Sequence, residues 1–77
     1  MNTYWRHPTR IGEARIQHNK GRWHAVIADE SLGSYSRPEQ ALEDLIGGHT
    51  FSHSSGADTS TLGLPDDLAE WELVRSP

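Results

Sequence analysis

Five histidines, His7, His18, His24, His49 and His53, are the side chains of this chain best suited to chemistry. His49 and His53 stand four apart, a spacing that on a helix sets two imidazoles on one face as metal ligands. Here they follow Gly47-Gly48 and sit among serines, a composition that ends a helix. His18 and His24 flank a turn and fall on opposite faces of a simple alternation. A metal centre needs several converging ligands held by outer partners, so we expect polar loop histidines and no metal. Ser52, His53 and Asp58 are the residue types of a nucleophile, its base and an orienting acid. Nucleophilic catalysis also needs an oriented base and an oxyanion hole, and a thin core has little with which to hold them. "SSGAD" has glycine and hydroxyls but neither the phosphate-loop spacing nor its lysine. No catalytic, cofactor-binding or metal-binding residue is therefore expected, and we do not read the chain as an enzyme.

The elements around these residues follow from periodicity. Gly12 to Asn19 alternates, with Ala14, Ile16 and His18 on one face and Glu13, Arg15 and Gln17 on the other, the pattern of a half-buried strand. "NKGR" follows, and Gly21 can take the positive φ of a tight hairpin. In "GRWHAVIAD" Trp23, Ala25 and Ile27 point one way, while His24, Val26 and Ala28 point the other. Both faces are fairly apolar, as in a strand covered on two sides. "ADESLGS" turns the chain, and "LGSYS" reads as a short third strand. Ser36 and Glu39 have the spacing of a capping box, Pro38 suits the first turn, and Ala41, Leu42, Leu45 and Ile46 form a helical stripe. Gly47 and Gly48 stop it. This predicts an α+β fold: a three-stranded antiparallel sheet packed on one α-helix, with Trp23 at the centre of the core. "HTFSHSSGADTSTLG" has no period and reads as a loop. "LPDDLAEW" opens with residues that favour a helix start, so the C-terminal arm is expected to carry a short second helix. Leu62, Leu64, Leu68, Trp71, Leu73 and Val74 must bury themselves, and the sheet face bearing Val26 and Ala28 is the surface we expect them to cover.

With 77 residues the chain has room for one small domain. We divide it into a β-β-β-α core at 11–48, a Ser/Thr/Gly-rich loop at 49–63 and a hydrophobic arm at 64–77. There are no cysteines, which excludes disulfides and thiolate zinc sites. "MNTYWRHPTR" has no apolar run of the secretory kind, and no stretch approaches a membrane span. A soluble, cytoplasmic protein is expected. The formal net charge is −4, from 7 basic and 11 acidic residues. Nucleic acid rewards basic surfaces, so this balance weighs against it. The charge is nonetheless uneven: Arg6, Arg10, Arg15, Lys20 and Arg22 precede residue 25 with only Glu13 against them.

"GRWHAVIAD" followed by "LGSYSRPEQALEDL" resembles the core of plant ethylene-response-factor DNA-binding domains and of the related arm-binding domains of phage integrases. The matching positions are Gly21, Arg22, Trp23, Ala25, Ile27, Asp29, Leu32, Gly33, Tyr35 and Ala41, and the likeness covers residues 12–46. It implies a three-stranded sheet on a helix, with Trp23, Ala25 and Ile27 facing the helix. In that family the opposite face reads the DNA major groove. This chain has Val26 and Ala28 where the family has a glutamate and an arginine. It has Ser31 where a DNA-contacting tryptophan is common. Base readout needs donors, which valine and alanine lack, so the resemblance reaches the fold and stops short of DNA reading. Residues 45–74 resemble the C-terminal part of small uncharacterised bacterial proteins, which implies no activity. The expected function is a small non-catalytic protein-interaction module, its partner another protein or a second copy of the chain. The alternative is a nucleic-acid-binding domain that uses the basic N-terminal third.

Overall fold

The computed structural model describes the backbone of residues 2–76 and the side chains of residues 3–75. Four strands come first: β1 (Asn2–Thr9), β2 (Gly12–Asn19), β3 (Arg22–Ile27) and β4 (Glu30–Tyr35). Helix α1 (Pro38–Gly47) follows. A long irregular stretch with single 3-10 turns at Thr59–Thr61 and Leu68–Glu70 leads to β5 (Glu72–Ser76). All pairings are antiparallel and the strand order is β4-β3-β2-β1-β5. The fold is α+β with one helix on an antiparallel sheet, as the periodicity predicts. The sheet has five strands and not three.

Two tight hairpins build its centre. Lys20 and Gly21 both have positive φ, at 52° and 77°, so the expected turn closes β2 on β3. Ala28 and Asp29 also have positive φ, at 50° and 67°. They form a second two-residue turn, and β4 begins at once with Glu30. Ala28 therefore lies in a turn and not on a sheet face. Its placement also explains Gly12: a Cβ there would stand 2.7 Å from the Ala28 Cβ, and the Ala28 N–H donates to the Glu13 carbonyl at 3.1 Å. β1 is a strand that the pattern reading missed. Trp5 pairs with Ile16 and His7 with Ala14, so Trp5 and His7 share the core face. Pro8 disguises the strand, because proline is disfavoured inside sheets. It is accommodated beyond Arg6↔Glu72, the last pair that joins β1 to β5.

The core lies between the sheet and α1. Ala14, Ile16, Ala25, Ile27 and Leu32 meet Ala41, Leu42 and Leu45. Ile16, Ile27, Leu32 and Leu45 are its largest fully buried side chains. Trp23 is only half-buried. It sits at the core's rim, with its ring 5.5 Å from Trp5 and 4.9 Å from His18, because β2 is the middle strand of the five and places the core centre nearer Ile16. The buried tryptophan is Trp71, 5 % exposed. The helix start is also displaced by one residue. Arg37 is the N-cap and makes no side-chain cap bond, while the Ser36 hydroxyl donates to Gln40 Oε1 at 3.0 Å. The expected capping box is absent, and Pro38 and Glu39 mark the first turn. Gly48 ends the helix in the left-handed region.

The arm takes a different path from the one expected. Leu62, Leu64, Leu68 and Trp71 pack against the same core as the helix, and β5 then pairs with the free edge of β1. The face bearing Val26 stays uncovered by the arm. The second helix is one 3-10 turn, Leu68–Glu70. Asp67 caps it at Ala69, and Trp71 is already extended, its indole N–H donating to the Pro65 carbonyl at 3.0 Å. That bond ties both ends of the turn together and directs the chain into β5.

Truncating the two tryptophans should separate their roles. Trp71→Ala should cost about 3–5 kcal/mol by leaving a cavity, whereas Trp23→Ala at the rim should cost roughly 1–2 kcal/mol. Urea unfolding of both proteins checks the order, and a larger loss from Trp23 would contradict it. A second outcome concerns Tyr35. Burial first, and then Asp44, push its hydroxyl up to about 12. The fold thus holds the neutral phenol, while the unfolded chain ionises near the ordinary value of about 10. Across that window the unfolded chain has released a proton that the folded chain keeps, so stability falls as pH rises. Comparison of unfolding free energies at about pH 8 and about pH 11 should show a smaller decline in Tyr35→Phe than in the wild type.

Candidate functional site

The two faces of the sheet differ in how their charges are held. On the face away from the helix, Arg6 stands directly opposite Arg15 across β1 and β2, and opposite Glu72 across β1 and β5. Like charges in register repel. Glu13 lies between the arginines: one carboxylate oxygen is 3.5 Å from Arg6 Nη1 and the other accepts from Arg15 Nε. Arg6 Nε also donates to Glu72. These bonds, and then the attraction of the partner charge, hold the Glu72 carboxyl below its ordinary range and raise the guanidinium of Arg6. Arg15 lies 5.1 Å from the centre of the Tyr4 ring. Arg22 is turned to Ser34, donating to its hydroxyl and its carbonyl, each at 3.2 Å. Val26 on the same face is 4 % exposed, with Arg15 its partner on β2 and Ser31 its partner on β4. The basic N-terminal third is real, but two of its arginines are neutralised in place.

The histidines disperse. His18 lies against Trp23. His24 Nδ1 is 3.4 Å from the Ser31 hydroxyl. His7 Nδ1 donates to the Pro8 carbonyl at 2.8 Å, with its ring 5.7 Å from Trp71. His49 is exposed beyond the helix end. Only His53 is buried. Among the described residues no three His, Asp or Glu converge as a metal site, and no helix is long and apolar enough to cross a membrane.

Ser52, His53 and Asp58 do not assemble. Asp58 caps its own 3-10 turn, accepting from the Ser60 N–H at 2.9 Å and the Ser60 hydroxyl at 2.7 Å. His53 Nδ1 accepts from the Ser55 N–H at 3.0 Å and is 2.9 Å from the Ser55 hydroxyl. A neutral ring then carries its proton on Nε2, which points toward Glu30 Oε1 at 3.7 Å without a hydrogen bond. Glu30 Oε2 accepts from the Ser54 N–H at 3.0 Å. His53 and Glu30 thereby fasten the loop to β4, and Phe51 adds a backbone bond to Leu32 at 2.9 Å. The partner Glu30 was hidden from sequence reading because it lies 23 residues upstream, at the start of a strand assigned to a turn.

On the helix face lies a feature with no sequence motif. A groove of about 640 Å³ runs between α1 and the arm. Trp5 of β1, Leu42 and Ile46 of α1 and Leu68 of the arm supply its apolar wall. Glu39 and Glu43 border it from the helix, and Asp66 and Asp67 from the arm. Among the described residues none of these four carboxylates is in an ion pair. The sequence showed only half of this. Leu42 and Ile46 belong to the helical stripe read as core, and the acids carry no motif, because only the arm's position brings them together. Comparison of the chain with protein-family models, with curated proteins and with solved structures returned no match.

The neutralised face has a measurable consequence. Replacing Glu13 and Glu72 by glutamine should free Arg6 and Arg15 and make the protein bind polyanions more tightly, since such binding grows with each free cation. The double variant should elute from heparin at clearly higher salt than the wild type. Equal elution would mean that the ion pairs do not control this face.

Proposed function

We propose that this protein is a non-catalytic interaction module that captures a protein segment carrying basic residues around apolar anchors. The observation that carries the reading is the groove: Trp5, Leu42, Ile46 and Leu68 between two pairs of unneutralised carboxylates. Its size falls within the range of about 300–1,000 Å³ typical of binding clefts. A tryptophan in the floor is the residue type that most often dominates an interface. Apolar anchors would supply affinity at roughly 25 cal/mol per Å² removed from water. The carboxylates would select basic partners and speed their encounter. The nucleic-acid alternative draws on the opposite sheet face, and it has less support, because Arg6 and Arg15 are already engaged by Glu13 and Glu72.

The test uses two peptides of equal length, one built of lysine and leucine and one with every lysine replaced by glutamate. Binding is followed by calorimetry and by tryptophan fluorescence. The lysine peptide should bind, weaken with added salt, and lose roughly tenfold or more in affinity when Glu43→Lys and Asp66→Lys are combined. Glu70→Lys, outside the groove, should leave binding nearly unchanged. Equal binding of both peptides, or equal sensitivity to all three reversals, would overturn the reading.

A further inference from the structure

We infer that the occupant of the groove is an amphipathic helix of about three turns lying beside α1 over β1 and β5, an inference that rests on the reading of the groove as a capture site. Its first support is the pattern of α1 itself. The four helix residues that border the groove are Glu39, Leu42, Glu43 and Ile46. They stand at i, i+3, i+4 and i+7, which is one continuous stripe along nearly the whole helix. The core uses a neighbouring stripe, Ala41, Leu42 and Leu45. A second stripe that runs the length of a helix fits the ridges of another helix alongside it.

The second support is coverage. Five strands at about 4.8 Å spacing set β4 and β5 roughly 19 Å apart, whereas one helix with its side chains is about 10–12 Å across. Among the strands α1 packs on β3, β4 and β2, and it packs as closely on the 3-10 turn Thr59–Thr61. The arm closes the sheet around His7, where Trp71 lies. Beside α1 this leaves the stretch at Trp5 and at its cross-strand partner Leu73, which shares the face and is 41 % exposed. By these figures roughly 7–9 Å of the sheet's width lies beyond α1, room for the apolar seam of a further helix to settle on Trp5 and Leu73.

Charge supplies the third support. The acids lie along both margins, Glu39 and Glu43 on one side, Asp66 and Asp67 on the other. A helix with one apolar seam carries flanking side chains on both sides of it, and lysines or arginines there would meet both margins. An extended segment alternates its side chains between two opposite faces, so it would offer the groove one row and turn the other away. Its occupant is thus an apolar seam at i, i+3, i+4 and i+7, seated over Trp5, Ile46 and Leu73, with basic residues on each flank.

The probes are three capped 14-residue lysine-leucine peptides of matched length. The first spaces its leucines at i, i+3, i+4 and i+7, the second alternates them with lysine, and the third is the first with a central proline. Short helices are marginal in water, so a bound helix is read as helical circular dichroism gained on titration. The first peptide should gain that signal and bind at least tenfold tighter than the other two, and Leu73→Ser should weaken it several-fold without altering the melt. Equal binding by the alternating or the proline peptide would overturn the helix while leaving the capture reading in place. Indifference to Leu73→Ser would likewise show that the occupant does not cross β5. If none of the three binds in a manner sensitive to Glu43→Lys with Asp66→Lys, both readings fail.

Discussion

The close approach of α1 to the two central strands governs everything else in this molecule. Ala14 and Ala25 on the sheet and Ala41 on the helix are wholly buried. Their small side chains let the larger Ile16, Ile27, Leu32 and Leu45 fill the space between. Interiors of this density respond to the loss of even one methylene. A helix held so near β3 cannot also cover β1 and β5. The outer strands must find their cover elsewhere, and the arm supplies part of it with Leu62, Leu64, Leu68 and Trp71.

That division also explains how charge is distributed. The arm is apolar enough to require burial, yet the face opposite the helix is lined by Arg6, Glu13, Arg15 and Glu72. Covering those charges with leucine would strip them of water at a cost that exposed ion pairs do not repay. The helix side offered Trp5 and the flank of α1, and the arm went there. In doing so it brought Asp66 and Asp67 across from Glu39 and Glu43. The groove is thus a by-product of where the arm had to go, and its acidity comes from two segments distant in sequence.

The loop before the arm is held by few but specific bonds. His53 carries its proton toward Glu30, and Ser54 and Ser55 satisfy the remaining atoms of both side chains. Hydrogen bonding by the Ser54 side chain, and then by its backbone N–H, keeps the Glu30 carboxyl below the ordinary carboxylate range. The loop crosses from the end of α1 past the β4 edge, and this tether fixes where the arm begins. His53 thus fastens the loop here, through Ser55 and toward Glu30.

Much of the centre was legible in the residues themselves. The alternation of Gly12–Asn19 and of Arg22–Ile27, the turn at Lys20-Gly21 and the stripe of Ala41, Leu42 and Leu45 are local signals, set by side-chain period and backbone sterics. They fixed the hairpin, the helix and the face that joins them. The outer parts were not legible, for reasons that are each physical. Pro8 masked β1, the Ala28-Asp29 turn needed φ values that those residues seldom adopt, and the local pattern pointed Leu62 to Trp71 at the Val26 face because it gave no sign of the outer strands β1 and β5. β5 has too few residues for its period to distinguish strand from helix. The choice among surfaces depended on desolvating Arg6, Arg15 and their partners, an energy that exists only once β1 and β5 stand beside β2. The sequence by itself therefore determined an α+β core and the residues that fill it, while the tertiary structure alone decided which face stayed open and that four distant carboxylates would border one apolar groove.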